Sequence, residues 1–189
     1  MPGAWSTRAN ALTLLRLLAA PTLVVAVRSD ALVAAAALFW IAVATDFADG
    51  WVARRYGEAS ALGGLVDHAV DATFVTCGTA ALAGAGALPV ALPALIAIAF
   101  LEYAFDARRG HSRGLRSSAL GRWNGIAYYV VVGVPVCRDA LGMTVPGPDL
   151  VQGLGWLLVV TTLASIGTRL WNVWGSSHQG SERSPDIPS

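Results

Sequence analysis

The chain has 189 residues, of which 55% are hydrophobic and 13% charged, with a formal net charge of +1 and a mean hydropathy of +0.57. A water-soluble domain carries about 25% charged residues, so this composition excludes an ordinary soluble fold, and no nucleic-acid partner is expected. Several apolar runs are long enough for a bilayer core, which takes ~20 helical residues, and a chain this short makes one compact helical bundle.

The expected fold is all-α, a polytopic six-transmembrane-helix bundle. The first expected span is Ala11–Val27. Arg8 ahead of it imitates a secretory signal, but Arg16 interrupts what would be an uncharged core, so the segment reads as a retained first helix. Ser29-Asp30 breaks the chain before a second span, Ala31–Arg55, and Tyr56-Gly57 separates that from Leu62–Leu82. The Gly84-Ala85-Gly86 run ahead of Pro89 leads into Val90–Asp106; Gly110 to Ser118 precedes Leu120–Val136, and Gly142 to Pro148 precedes Leu150–Trp174. A membrane domain over residues 1–175 is then followed by a tail, 176–189, too rich in Ser, Gly, Pro and charge to order itself. Cys77 and Cys137 lie in apolar segments without a CxxC, which reads as two buried thiols.

The basic side chains orient the bundle, and all of them apart from histidine are arginine. Arg8, Arg54, Arg55 and the run Arg108, Arg109, Arg113, Arg116 and Arg122 fall at alternate ends of the spans. The opposite ends carry Arg28 and Arg138, each close to an aspartate. The positive-inside rule then puts both termini and the second and fourth loops in the cytoplasm. The expectation is an integral protein of a bacterial-type cytoplasmic membrane, in contact with membrane lipids.

Four carboxylates interrupt two of these apolar helices: Asp46 and Asp49 on the second, Asp67 and Asp71 on the third. An ionised aspartate inside a membrane helix costs several kcal/mol unless it is paired or solvated, so such residues mark function by default. Asp46, Asp49, Gly50 and Ala53 follow i, i+3, i+4, i+7 and share one stripe; Asp67 and Asp71 are one turn apart. A short connection makes the helices antiparallel, with the two acidic stripes face to face. Four hard oxygen donors with no Cys or His at ligand spacing suit Mg²⁺ or Mn²⁺; His68 points away from the Asp67/Asp71 stripe. The small residues Gly50, Ala53, Gly63 and Gly64 leave room for a ligand between the helices, although Gly63-Gly64 also suits plain helix packing.

The stretch Asp46 to Asp71 resembles, position for position, the motif of the CDP-alcohol phosphatidyltransferases, DxxDGxxAR–x8–GxxxDxxxD. Asn10-Ala-Leu-Thr13-Leu-Leu-Arg16 with Pro21 is similar to the NxLTxxR…P opening of bacterial phosphatidylglycerophosphate synthases. The resemblance implies a CDP-linked lipid donor, typically CDP-diacylglycerol, a small alcohol acceptor, release of CMP, and two bound Mg²⁺ or Mn²⁺ ions. It implies that Asp46, Asp49 and Asp67 hold the metals, with Asp71 near the second metal as ligand and general base. It further implies that Gly50, Ala53 and Gly63 line the cytidine site, that Arg54 contacts the diphosphate, and that the protein is a homodimer. The lesser reading of Arg54, on position alone, is a positive-inside anchor at a helix end.

The acceptor is less determined. The arginines from Arg108 to Arg122 read either as a site for a phosphate-bearing alcohol, glycerol 3-phosphate or inositol phosphate, or as topological anchors drawn to anionic headgroups. Arg122 is the leading candidate ligand. Where phosphatidylglycerophosphate synthases tend to carry a GKxKT-like element, this chain has Gly121-Arg122-Trp123-Asn124-Gly125, which weakens the case for glycerol 3-phosphate. Competing readings are an intramembrane prenyltransferase, a divalent-cation carrier, and a lipid-binding relative without turnover. The first two leave the DGxxAR spacing unexplained, and the intact acidic positions argue against the third.

Overall fold

The computed structural model describes the backbone of residues 8–56, 61–108 and 119–179, and the side chains of residues 11–49, 51, 55, 63–105 and 120–171. Six helices follow in order: α1 (Arg8–Arg28), α2 (Leu32–Tyr56), α3 (Ala61–Gly84), α4 (Ala91–Arg108), α5 (Ala119–Ala140) and α6 (Pro148–Gln179). Each expected element is present. α5 runs four residues beyond Val136 with Pro135 inside it. α6 opens with Pro148 at its first turn, beside Asp149. It continues to Gln179, past the boundary expected at 175, because extending a nucleated helix adds one bond per residue even through polar residues. Residues 180–189 of the expected tail, and Arg109, Arg113 and Arg116, lie outside the described residues.

Three described stretches are long and apolar enough to cross a bilayer: Ala11–Arg28, Leu32–Asp49 and Pro148–Trp171; Ala91–Phe105 on α4 is apolar but shorter. Fewer helices therefore meet a length-and-hydropathy criterion than the six spans expected. The shortfall has a chemical cause. Asp67, His68 and Asp71 dilute the first half of α3, and Arg122 and Asn124 that of α5. Large apolar side chains along the outside of α1, α2 and α6, among them Leu14, Leu18, Trp40, Leu157, Val160 and Leu163, are exposed, as a lipid-facing surface requires.

The turns after α1, α3 and α5 share one design. Each helix ends in a left-handed residue: Asp30 at φ 54°, Gly86 at φ 77° and Gly142 at φ 64°. In each, the next amide reaches back to close the helix: Ala31 N to Ala26 O and Ala87 N to Leu82 O at 2.9 Å, and Met143 N to Arg138 O at 2.9 Å. Glycine meets no Cβ penalty in that conformation, and aspartate tolerates it.

α1 packs against α2 and α3; α3 also contacts α4 and α5, α2 contacts α5, and α6 lies on α4 and α5. The buried stripe of α1 begins at Arg16 and continues through Ala19, Ala20, Leu23 and Ala26. That of α2 runs Ala35, Phe39, Ala42, Thr45, Asp49, and that of α3 includes Val70, Phe74 and Val75. The charged groups thus extend the same stripes that form the apolar core. Small residues allow close approach: Gly78 on α3 faces Val132, and the Phe39 ring of α2 lies against Gly133 of α5.

Candidate active site

Helical periodicity delivers the four carboxylates to one place. Asp46 and Asp49 project from α2 and Asp67 and Asp71 from α3, and all four ion-pair with Arg16 of α1. Arg16 is fully buried. Its Nη1 donates to Asp67 Oδ1 at 3.0 Å and to Asp71 Oδ1, and lies 3.3 Å from Asp46 Oδ1; Nη2 donates to Asp49 Oδ2. The carboxylates differ in access. Asp49 is 6% exposed at its side chain, against 44% for Asp46 and 34% for Asp67. The cluster is closed on the Asp49 side and open on the Asp46 and Asp67 side.

Asp46, Asp49 and Asp67 can each offer one oxygen within 4.8 Å of the others. That is an all-oxygen donor set, the kind a hard divalent cation takes. Asp71 stands beside this trio and has a different partner: Tyr129 Oη of α5 donates to Asp71 Oδ1 at 3.0 Å. The Tyr129 ring is itself fixed, stacked on Phe74 at 6.0 Å and tilted against Phe39 at 6.5 Å.

A cavity of ≈ 450 Å³ opens between α3, α4, α5 and α6, lined by Asp71, His68, Tyr103, Arg122, Tyr129 and Arg169 among others. Arg169 lies 5.9 Å from the centre of the Tyr103 ring, and His68 4.8 Å from the same ring. Tyr128 closes the inner wall through a 2.7 Å hydrogen bond to Thr162. His68 belongs to this cavity and not to the carboxylate trio, in keeping with its expected direction.

Among the residues singled out from sequence, Asp46, Asp49, Asp67 and Asp71 come together as expected, and Arg122 shares a cavity with Asp71. Gly63 is exposed, and a Cβ on Gly64 would meet nothing within 4 Å, so space lies beside the start of α3. The side chains of Gly50, Ala53 and Arg54 lie outside the described residues. Cys77 and Cys137 are free thiols, half-buried. Two participants were missed. Arg16 had entered through its motif and as a charge interrupting the first apolar span, but not as a partner of the aspartates, although a charge in mid-span is itself a signal. Tyr129 follows Arg122 by seven residues and therefore shares its helix face.

Comparison with known proteins adds the following. The family model for CDP-alcohol phosphatidyltransferase matches residues 6–170. A cardiolipin synthase (CMP-forming) / mitochondrial hydrolase fusion protein of Schizosaccharomyces pombe is 29% identical over 154 residues, which cover 71% of this chain and 26% of that protein. A protein of Mycobacterium tuberculosis named "Probable phosphatidylglycerophosphate synthase" is 40% identical over 87 residues, 43% of this chain and 42% of that protein. The chain thus spans less than half the length of either relative in these matches. No solved structure matches it.

Proposed function

The chain belongs to the CDP-alcohol phosphatidyltransferase family, and from that membership we propose that it is a membrane enzyme transferring a phosphatidyl group from CDP-diacylglycerol to the hydroxyl of a small alcohol. The observation that carries this reading is Asp71. It belongs both to the carboxylate cluster and to the wall of the cavity holding Arg122 and Arg169, so a donor held at one and an acceptor held at the other would meet there.

Asp46, Asp49 and Asp67 would hold the divalent cations, Mg²⁺ or Mn²⁺, with Asp71 beside the second. Those ions would neutralise the diphosphate and stabilise charge on the attacking and leaving oxygens. The acceptor hydroxyl oxygen attacks the phosphorus that bears the diacylglycerol. The bond from that phosphorus to the bridging oxygen breaks, and CMP leaves with the bridging oxygen. Asp71 accepts the hydroxyl proton, since an aliphatic hydroxyl is a poor nucleophile without a base in hydrogen-bond reach. Gly50, Ala53 and Gly63 would admit the cytidine, and Arg54 would bind the diphosphate through its planar fork.

For the acceptor we propose a phosphate-bearing alcohol, with glycerol 3-phosphate and inositol phosphate the first to assay. Arg122 and Arg169 in one cavity support it. The remaining elements of the proposal are six membrane spans, a site facing the cytoplasm of a bacterial-type cell, and a homodimer. The experiment is CMP release by the purified protein with CDP-diacylglycerol and each of glycerol 3-phosphate, inositol, inositol phosphate, serine and phosphatidylglycerol. Release that depends on a phosphorylated alcohol supports the reading. Release only with phosphatidylglycerol would move the acceptor to that lipid, and a requirement for a prenyl diphosphate would replace the reaction class.

A further inference from the structure

Arg16 is the single charged residue between Ala11 and Val27 on α1. A buried ion pair is tolerated when its charges and hydrogen bonds are compensated, and here compensation is incomplete on both sides. Four carboxylates against one guanidinium leave a formal charge of −3. The Nε–H of Arg16 is buried and has no hydrogen-bond partner. A side chain with one settled structural role would be expected to satisfy that donor. The guanidinium also lies among the same carboxylates, Asp46, Asp49 and Asp67, whose oxygens converge closely enough for a cation. With five donors and no acceptor it cannot ligate a metal, and its charge opposes any cation drawn to those oxygens.

We infer that Arg16 is a tethered counter-cation, which gathers the four carboxylates by itself and must surrender some of their oxygens when a divalent cation binds. This inference rests on the cation site proposed above. Cation uptake is then an exchange, and Arg16 sets the affinity of the site by competing for it. The burial gradient gives the order of release. Asp46 and Asp67, the more exposed partners, open to the incoming cation, while the buried Asp49 keeps Arg16 anchored. A bracing role for Arg16, holding the ligands ready for the metal, makes the opposite forecast, since removing a brace weakens binding.

The test uses detergent-purified full chain stripped with EDTA, with Mn²⁺ alone as probe. Mn²⁺ binding is followed by electron paramagnetic resonance, and melting temperature is measured with and without Mn²⁺. Arg16→Gln is expected to melt below wild type in EDTA and to bind Mn²⁺ about tenfold more tightly, about 1.4 kcal/mol. Arg16→Lys keeps the charge but lacks the fork that spans several carboxylates, and is expected to fall between the two. An Arg16→Gln protein that folds only with Mn²⁺ present supports the inference equally, because the ion then replaces the guanidinium. Unchanged or weaker Mn²⁺ binding in Arg16→Gln overturns it, as does failure to fold even in Mn²⁺. Wild-type protein that binds no Mn²⁺ removes the cation-site proposal and this inference together. Wild-type binding with no gain in the variant removes the inference alone.

Discussion

At Asp71 two donors from different helices meet on one oxygen: Tyr129 Oη at 3.0 Å and Arg16. A carboxylate held this way has a fixed direction, which a base needs when it accepts a proton from a positioned hydroxyl. Asp71→Asn is expected to abolish most turnover while leaving the KM for CDP-diacylglycerol near wild type. Tyr129→Phe keeps the ring against Phe74 and deletes one hydrogen bond to a charged group, worth ~1.5–3 kcal/mol. We expect kcat to fall on the order of tenfold or more by the same principle, with donor KM little changed. Steady-state kinetics of both variants decide it, and wild-type kcat in Asp71→Asn would remove the base assignment. The aspartates were legible in the sequence because i+3 and i+4 spacing acts within one helix. Arg16 and Tyr129 were not, because their contacts to the cluster cross 30 to 58 positions of chain. Local pattern shows that Arg16 is out of place in an apolar run; it does not show what it meets.

At the scale of the element, α5 joins the site to the core. Arg122 and Asn124 near its start line the cavity, Tyr129 reaches Asp71, and Gly133 receives the Phe39 ring. If Arg122 binds the acceptor phosphate, Arg122→Ala raises acceptor KM on the order of ten- to a hundredfold, the loss of a charged hydrogen bond, and spares donor KM. Equal, small effects on both would make Arg122 an anchor and favour an uncharged alcohol. Gly133→Ala places a methyl group where the Phe39 ring lies, and overpacking of this kind costs ~1–3 kcal/mol. A lower melting temperature with reduced kcat is the expected result, since Phe39 also contacts Tyr129. Unchanged melting would mean that α2 and α5 separate freely. Helix starts and stops were readable from turn chemistry, most plainly at Ser29-Asp30, Gly86 and Gly142, where left-handed residues close three helices. The ends of α5 and α6 were misjudged. The charged pair Arg138-Asp139 and the polar run Gly175–Gln179 look like breaks in isolation, yet a helix already formed carries through both.

For the whole molecule, one tension organises the design. The site's polar groups weigh unevenly on its helices: α3 and α5 forfeit hydropathy to carry Asp67, Asp71, Arg122 and Asn124, while α1 and α2 keep long apolar stretches despite Arg16, Asp46 and Asp49, and α6 supplies a third. Composition made the membrane setting readable, and the Asp46–Asp71 motif made the family readable. The cavity was not readable, because its wall is assembled from four helices that approach only after folding. The acidic cluster ties these scales together, since three helices converge on it and the proposed chemistry depends on what it holds. The most direct measurement is CMP release from CDP-diacylglycerol by the purified protein in EDTA, followed by addition of Mg²⁺ or Mn²⁺. The account predicts no release in EDTA and recovery with either ion, with the recovery lost in Asp67→Asn. Full CMP release in rigorously metal-free buffer would contradict it.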